Sequence, residues 1–268
     1  MQQTSISDIP LPSTNPAPLR ILGVRIDDVT MQEACDRVAG YIAGGGWHQI
    51  ATVNPEFIMR ASGDASFAAV LDHTDLNVPD GVGVLWAARR MRKPLRERVA
   101  GVDLLQRLCA IGSQSGWRVF FLGARTGVAE RAAAIVAFKY QGLVVAGAYA
   151  GSPHPQDDRD AVAIIRRARA NLLFVAYGAP GQDLWLARNL PALMAGTTPD
   201  AAAAGAPGLV GIGVGGAFDF ITGLQKRAPP QMQRMGLEWL YRLLRQPGRW
   251  RRQLVLLRFA AAVMLQSR

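Results

Sequence analysis

The chain has 268 residues, half of them hydrophobic, so it can bury a full core in one large domain and is not a disordered chain. Its net charge of +10 is uneven, because residues 225 to 268 carry ten Lys or Arg and one acid, Glu238, which leaves +1 for the rest. Such a tail indicates a phosphate-bearing partner, either nucleic acid or an anionic membrane surface.

The first 18 residues are polar, contain four prolines and lack the basic and apolar regions of a signal peptide. We therefore predict a disordered N-terminal segment over 1 to 18 and a protein that stays in the cytoplasm. From Ile21 onward, short strand-like runs alternate with helical patterns, which predicts an α/β fold with a parallel sheet covered by helices. The runs are Ile21 to Val24, Gln49 to Val53, Leu76 to Val78, Trp117 to Leu122, Leu143 to Ala148, Leu172 to Tyr177 and Leu209 to Val214.

Two threonines are predicted to cap helices. Thr30 precedes a helical pattern over 31 to 43 that stops at three glycines, and Thr126 precedes one over 127 to 140. Cys35 and Cys109 lie within helical patterns and are predicted to be buried free thiols. Residues 195 to 208 are of low complexity and predict a surface loop. We place the α/β domain at 19 to 224 and a basic helical appendage at 225 to 268.

The appendage has the pattern of an amphipathic basic helix. Apolar residues recur at helical spacing beside a stripe of arginines, which Pro247-Gly248 interrupts; the two sets are Leu237, Leu240, Tyr241 and Leu244, and Arg242, Arg245, Arg249 and Arg252. The apolar run from Leu254 to Leu265 has 12 residues and includes Arg258. A membrane-spanning helix needs about 20 apolar residues. The run is therefore expected to lie in the plane of a membrane surface.

Polar residues follow two of the predicted strands. Thr52 and Asn54 end one, and Asp80 follows the next between Pro79 and Gly81. Ligands of open α/β sheets bind beyond the carboxyl ends of strands. Asp80 fits two roles there, an ordinary turn or helix cap and a general base at the rim of the sheet.

Glycine-rich turns follow three other strands. The turns over 122 to 127 and 178 to 183 open helices, whose free N–H groups suit a diphosphate. Residues 211 to 216 contain G-x-G-x-x-G, but neither a long helix nor a suitably spaced acid follows. These glycines either line a ligand pocket or allow close strand packing. The sequence has no Walker loop and no G-x-S-x-G, which argues against ATPases and hydrolases. Since the three histidines are isolated, we predict no metal and no cofactor.

Seven motifs occur in an order that resembles the WecG/TagA/CpsF glycosyltransferases (family 26), over roughly 21 to 252. They are Thr52-Val53-Asn54, Pro79 to Gly83, Glu97 to Gly101, Gly178 to Asp183, Gly213 to Asp219 with Gly223, Arg227-Ala228-Pro229, and Glu238 to Leu243. The resemblance implies a Rossmann-like fold of the GT-E type. It also implies inverting, metal-free transfer from a UDP-sugar to a polyprenyl-diphosphate-linked sugar, by a peripheral protein on the cytoplasmic face of the inner membrane.

The resemblance also implies site residues. Asp80 matches the proposed base, Thr52 and Asn54 match pocket residues, and Arg98 matches a further catalytic position. Asp183 stands where many members have Glu. Substrate contacts are expected at the following positions: Gly123, Gly178, Gln182, Gly213, Gly215, Phe218, Asp219, Arg242, Arg245 and Arg249.

The expected function is addition of the second sugar of an exopolysaccharide or surface-glycan repeat unit, with glucose, N-acetylmannosamine or its uronic acid as the donor sugar. Two alternatives stay open, a nucleic-acid-binding module that uses the basic tail and an NAD-dependent oxidoreductase that uses 211 to 216. The tail's leucines and aromatic residues favour an anionic membrane surface over nucleic acid as partner. The residues leave open whether the chain forms a homo-oligomer.

Overall fold

The computed structural model describes residues 18–194, 207–229, 231, 232, 235, 237–245 and 250–266. A sheet of six parallel strands forms its centre, in the order β4-β3-β8-β7-β5-β6. The strands of this sheet are β3 (Trp47–Val53), β4 (Leu76–Pro79), β5 (Arg118–Gly123), β6 (Val144–Tyr149), β7 (Leu172–Ala176) and β8 (Leu209–Gly213). The predicted α/β fold with a parallel sheet is confirmed.

Helices connect these strands, as parallel neighbours require, and further helices precede and follow them. They are α1 (Met31–Gly44), α2 (Pro55–Ala61), α3 (Ala65–His73), α4 (Val82–Arg90), α5 (Gly101–Ser115), α6 (Val128–Lys139), α7 (Asp158–Ala168), α8 (Gly181–Met194), α9 (Ala217–Ile221), α10 (Glu238–Arg245) and α11 (Trp250–Gln266). The expected loop at 195 to 208 and the N-terminal segment fall almost entirely outside the described residues.

The first predicted strand was wrong. Residues 21 to 24 do not join the main sheet; they form the turn of an antiparallel hairpin between β1 (Leu19–Ile21) and β2 (Val24–Ile26). Leu22 and Gly23 take positive φ values of 48° and 86°, which reverse the chain. The triplets Leu-Arg-Ile and Val-Arg-Ile on either side pair with each other, so an apolar run that looks continuous is two short strands.

The two predicted helix caps differ in outcome. Thr30 caps α1 in a capping box with Glu33, as expected. Thr126 does not cap α6, because the N-cap is Gly127, which has no side chain to accept a hydrogen bond. Cys35 and Cys109 are buried, as predicted, and burial raises the pKa of their thiols to about 11 and about 12.

Helices cover both faces of the sheet because successive strand residues point to opposite sides. In β5, Val119 and Phe121 face a core shared with α1, α5, α6 and α9, whereas Phe120 and Leu122 face a core shared with α7 and α8. A third cluster joins the hairpin to α2, α3 and α4. Five of the six strands are therefore largely buried, whereas the edge strand β6 is only partly covered. The carboxyl edge of the sheet is the place where a functional site is expected.

The last helix packs on this body. Phe259 and Val263 of α11 are fully buried in the cluster formed by α2 and α4, and the Leu22 N–H donates to Gln266 Oε1 at 2.9 Å. The predicted arginine stripe does not run along one helix, because α10 ends at Arg245 and Arg252 belongs to α11. Arg249 lies outside the described residues. The boundary at 224/225 stays a prediction.

Within the described part of the chain, none of the helices combines the length and hydropathy that are needed to cross a bilayer.

Candidate functional site

The neighbouring strands β3, β4 and β8 bring the predicted site residues together. The Asp80 N–H donates to the Val53 carbonyl at 2.8 Å, which fixes the end of β4 beside the end of β3. On the other side of β3, the hydroxyl of Thr52 donates to the Gly213 carbonyl at 2.9 Å. Thr52 is buried and Asp80 is half-buried. Asp80 thus lies at the rim of the sheet, and the Thr52 hydroxyl joins the neighbouring strands β3 and β8.

The N-terminus of α5 orients the Asp80 carboxylate. The Gly101 N–H, in the first turn of α5, donates to Asp80 Oδ2 at 3.2 Å, and the Val99 N–H holds the preceding loop to the Pro79 carbonyl at 2.9 Å. A helix start has free N–H groups and a partial positive charge, which favour a carboxylate. A Cβ at position 101 would lie 3.2 Å from Thr52 Cγ2, so a larger residue there would require the Thr52 side chain to shift.

Two arginines are held near this carboxylate by acids. Arg98 forms an ion pair with Glu238 at 3.6 Å, and Arg227 binds Asp103 through two hydrogen bonds of 2.6 and 2.8 Å. The Asp103 carboxylate raises the pKa of Arg227 most, and the charges of Glu238 and Asp80 add to the shift. The site therefore combines one oriented carboxylate with two arginines, each of which is also paired with an acid.

Gln182 joins two of the glycine turns. Its Oε1 accepts hydrogen bonds from the Gly178 N–H at 3.2 Å and the Gly215 N–H at 2.9 Å, and its side chain is fully buried. Gln182 thus links the loop after β7 to the loop after β8 and stabilises their conformations. Gly178 and Gly215 have positive φ and open space where a side chain would stand.

Asp183 lies beneath these turns, fully buried. Burial raises the pKa of its carboxyl to about 8, more than the neighbouring Gln182 side chain lowers it. Its backbone carbonyl accepts a hydrogen bond from Gln49 Nε2 at 3.0 Å. The side chain belongs to the support of the site and not to its surface.

Three predicted substrate contacts serve packing instead. A Cβ at Gly213 would lie 2.5 Å from Gln182 Nε2, and one at Gly123 would lie 2.9 Å from the Ala176 carbonyl carbon. These glycines therefore allow close packing and do not open a ligand pocket with their missing side chains. Phe218 is fully buried, with its ring 5.4 Å from that of Phe121, so its side chain belongs to the core.

Other predicted residues have local structural partners. Asn54 caps α2, because its Oδ1 accepts from the Glu56 N–H at 2.9 Å and the Phe57 N–H at 3.1 Å. Asp219 Oδ2 accepts from Gln225 Nε2 at 3.1 Å. The guanidinium of Arg245 lies 5.5 Å from the centre of the Tyr241 ring. The side chain of Arg242 and the whole of Arg249 are outside the described residues, so their contacts with substrate stay predictions.

Sequence reasoning missed Gly101, Asp103, Arg227 and Glu238 as site residues. One signal was available for Glu238, the single acid in a strongly basic tail. Gly101, Arg227 and Glu238 lie in motifs that carry the family resemblance, but spacing alone does not show that Arg227 pairs with Asp103 or Glu238 with Arg98.

A comparison with protein families identifies the chain. The family model described as "Glycosyl transferase WecG/TagA/CpsF family" matches residues 19–268. The chain belongs to this family of glycosyltransferases. Membership supports neither alternative function. The structure also argues against the NAD-dependent oxidoreductase, because only the five residues of α9 follow the glycines at 211 to 216, where a dinucleotide fingerprint opens a long helix.

Three relatives of this WecG/TagA/CpsF chain carry the name N-acetylglucosaminyldiphosphoundecaprenol N-acetyl-beta-D-mannosaminyltransferase. The protein from Bacillus spizizenii is 34% identical over 219 residues, which are 82% of this chain and 79% of the relative. The Bacillus subtilis protein is 33% identical over the same length, with 82% and 80% covered. The Staphylococcus aureus protein is 27% identical over 233 residues, with 86% of each chain covered.

Proposed function

We propose that the chain transfers a sugar from a UDP-sugar to a polyprenyl-diphosphate-linked monosaccharide, with inversion, without a metal and with Asp80 as the general base. The observation that carries the proposal is the half-buried Asp80 carboxylate at the sheet's rim, held at 3.2 Å by the Gly101 N–H with Arg98 and Arg227 in the same site. An oriented carboxylate beside fixed cations is what a displacement with a departing diphosphate requires.

In the proposed step, a hydroxyl oxygen of the acceptor sugar attacks the anomeric carbon of the donor. The bond from that carbon to the UDP oxygen breaks, and Asp80 takes the hydroxyl proton. The leaving diphosphate gains negative charge as the bond breaks. Arg98 and Arg227 are proposed to stabilise this charge without a metal, in exchange for part of their pairing with Glu238 and Asp103.

The relatives support the choice of substrates. They are named for an acceptor that carries N-acetylglucosamine on diphosphoundecaprenol and for transfer of N-acetyl-β-D-mannosamine. A β-linked product from an α-linked UDP-sugar requires inversion. Of the three donors expected from the family resemblance, N-acetylmannosamine therefore gains most support, ahead of glucose and N-acetylmannosaminuronate. The product is proposed to enter an exopolysaccharide or another surface glycan.

The chain is proposed to act at the cytoplasmic face of the inner membrane, and the outward face of α11 supports its binding to a membrane surface. While Phe259 and Val263 face the core, Leu257 and Leu265 are 69% and 70% exposed, and Leu254 lies on the same face. Arg258 is also exposed, and a helix that presents leucines beside a cation binds in the plane of an anionic membrane surface. Because Phe259 and Val263 belong to the core, deletion of 225 to 268 would also disturb the fold. Substitution of the exposed leucines is the cleaner test.

The proposal is tested with purified protein, a panel of UDP-sugars and a polyprenyl-diphosphate-linked N-acetylglucosamine, by following UDP release and lipid-linked product together. We expect both to appear in equal amounts with one donor, and to persist in the presence of a chelator. UDP release without a lipid-linked product would overturn the proposed acceptor. Loss of all turnover with the chelator would overturn the metal-free step.

A further inference from the structure

Helix α4 leads directly away from the site. It begins at Val82, two residues after Asp80, and buries Val84, Ala87 and Ala88 against the body. Its opposite face carries two exposed apolar side chains one helical turn apart, Val82 at 37% and Trp86 at 40% exposure. A single exposed valine is ordinary on a protein surface. An exposed tryptophan beside it forms a larger apolar patch, which is typical of an interaction site.

The end of α4 carries four cations in five residues, namely Arg89, Arg90, Arg92 and Lys93, and all four side chains are exposed. Among the described residues, none of the four forms an ion pair or a side-chain hydrogen bond. Arg96, close by in the sequence, instead pairs with both Asp28 and Glu33. The charge of the body outside the tail is only +1, but these four cations form a positive patch at the end of α4.

The helix that leads to this patch packs against α11. Helix α11 packs against α4 and α2, with Phe259 and Val263 in the cluster that also holds Val84 and Ala87. The outward faces of the two helices are therefore neighbours, one with exposed leucines and the other with Trp86 and four cations. Tryptophan and arginine together at the edge of an apolar surface are typical of the membrane interface. Nucleic acid would bind the cations but would leave the exposed leucines without a partner, so these surfaces favour a membrane.

We infer that α4 is a second membrane-binding element, in which Arg89, Arg90, Arg92 and Lys93 bind anionic lipid headgroups and Trp86 enters the interface. The inference rests on the proposed function, since it assumes an acceptor in a membrane. Because α4 starts beside Asp80, its contact with lipid places the mouth of the site at the depth of the headgroups. The diphosphate of a lipid-linked acceptor lies at that same depth.

The first test measures binding of the full chain to phosphatidylcholine vesicles with and without phosphatidylglycerol. Replacing the four cations by glutamine is expected to weaken binding to the anionic vesicles roughly 1,000-fold, because each Lys or Arg near an anionic surface contributes about 1 kcal/mol. The matched control replaces four exposed arginines of α6 and α7, which flank β6 at the far edge of the sheet: Arg131, Arg159, Arg167 and Arg169. It removes the same charge and is expected to retain most of the binding.

Equal loss in the two variants would overturn the inference, since net charge alone would then explain binding. Retained binding in the α4 variant would overturn it as well. These results differ from a failure of the proposed function, in which the wild-type protein itself would show no transfer to the lipid-linked acceptor. Unchanged melting temperatures of both variants establish that the fold is intact.

A second test locates the contact. Cys35 and Cys109 are buried, so Trp86→Cys can be labelled selectively with an environment-sensitive fluorophore. Addition of anionic vesicles is expected to shift its emission to the blue. The same label at Phe138→Cys, on α6 where the side chain is 88% exposed, is expected to show no shift. Absence of a shift at position 86, under conditions where the protein sediments with the vesicles, would overturn the proposed contact.

Discussion

Glu238, the single acid among residues 225 to 268, forms an ion pair with Arg98 at 3.6 Å, and both side chains are largely buried. Arg98 precedes the short segment that ends at Gly101, whose N–H donates to the Asp80 carboxylate. The start of α10 is therefore linked to the candidate base through one ion pair, two residues of chain and one hydrogen bond. A movement of α10 against the body would therefore change the position of the Asp80 carboxylate.

Glu238→Gln is expected to lower turnover with a lipid-linked acceptor by about tenfold, because a partly buried ion pair contributes about 1 to 2 kcal/mol. Affinity for UDP should change little, since Arg98 and Arg227 keep their charge. Steady-state kinetics with each substrate varied separately measure the two effects.

The exposed acid Glu130 on α6 provides the control, and Glu130→Gln should behave as wild type. Glu238→Asp should restore part of the lost turnover, because it keeps the charge. Wild-type kinetics for Glu238→Gln would show that the ion pair does not position the site.

Asp183→Asn is expected to stabilise the protein most at alkaline pH. The pKa of this carboxyl is about 8 in the folded protein, against an ordinary value of 3.8, so the folded state keeps a proton that the unfolded state has lost. The free energy of unfolding of the wild type should therefore fall as pH rises from about 4 to about 8, by at most about 1.4 kcal/mol per unit from this group. Above a pH of about 8, Asp183 is ionised in both states, and the free energy of unfolding no longer falls because of this group.

Urea unfolding of the wild type and Asp183→Asn at pH 5 and pH 8 measures this difference. The variant lacks the ionisable group, so its advantage should be larger at pH 8. The exposed Asp160→Asn, at the start of α7, should leave the pH dependence as it is in the wild type. An identical pH dependence in Asp183→Asn and the wild type would contradict the assignment of a buried, protonated Asp183.

Phe259→Ala is expected to lower the free energy of unfolding by about 3 to 5 kcal/mol, because this ring of α11 is 2% exposed in the core. Leu257→Ala, two residues earlier on the outward face, should change it by less than about 0.5 kcal/mol. Chemical unfolding of the two variants compares them. Similar small losses would mean that α11 does not pack on the body in solution.

The sequence was enough to predict the strands of the main sheet and the positions of Thr52 and Asp80 at strand ends. Buried parallel strands are continuous apolar runs, and their carboxyl ends lie at one edge, so residues at neighbouring strand ends come together. The hairpin at Leu22-Gly23 was missed because an apolar run does not show where the chain reverses.

Long-range packing explains the other differences. Whether Gly213 faces a ligand or helix α8 depends on Gln182 in a separate part of the chain, and Phe218 is buried because Phe121 lies behind it. The pairs Arg98 with Glu238 and Asp103 with Arg227 join residues far apart in the sequence. No local spacing predicts such partners, whereas a hydrophobic period or a strand end is a local property.

The most direct test of the account is Asp80→Asn, assayed for turnover and for UDP binding on the same preparation. Asparagine keeps the shape and can still accept the Gly101 hydrogen bond, but it cannot take the acceptor's proton. We predict that turnover falls roughly 100- to 10,000-fold, while UDP raises the melting temperature as much as it does in the wild type. Near-normal turnover by this variant would contradict the assignment of Asp80 as the base.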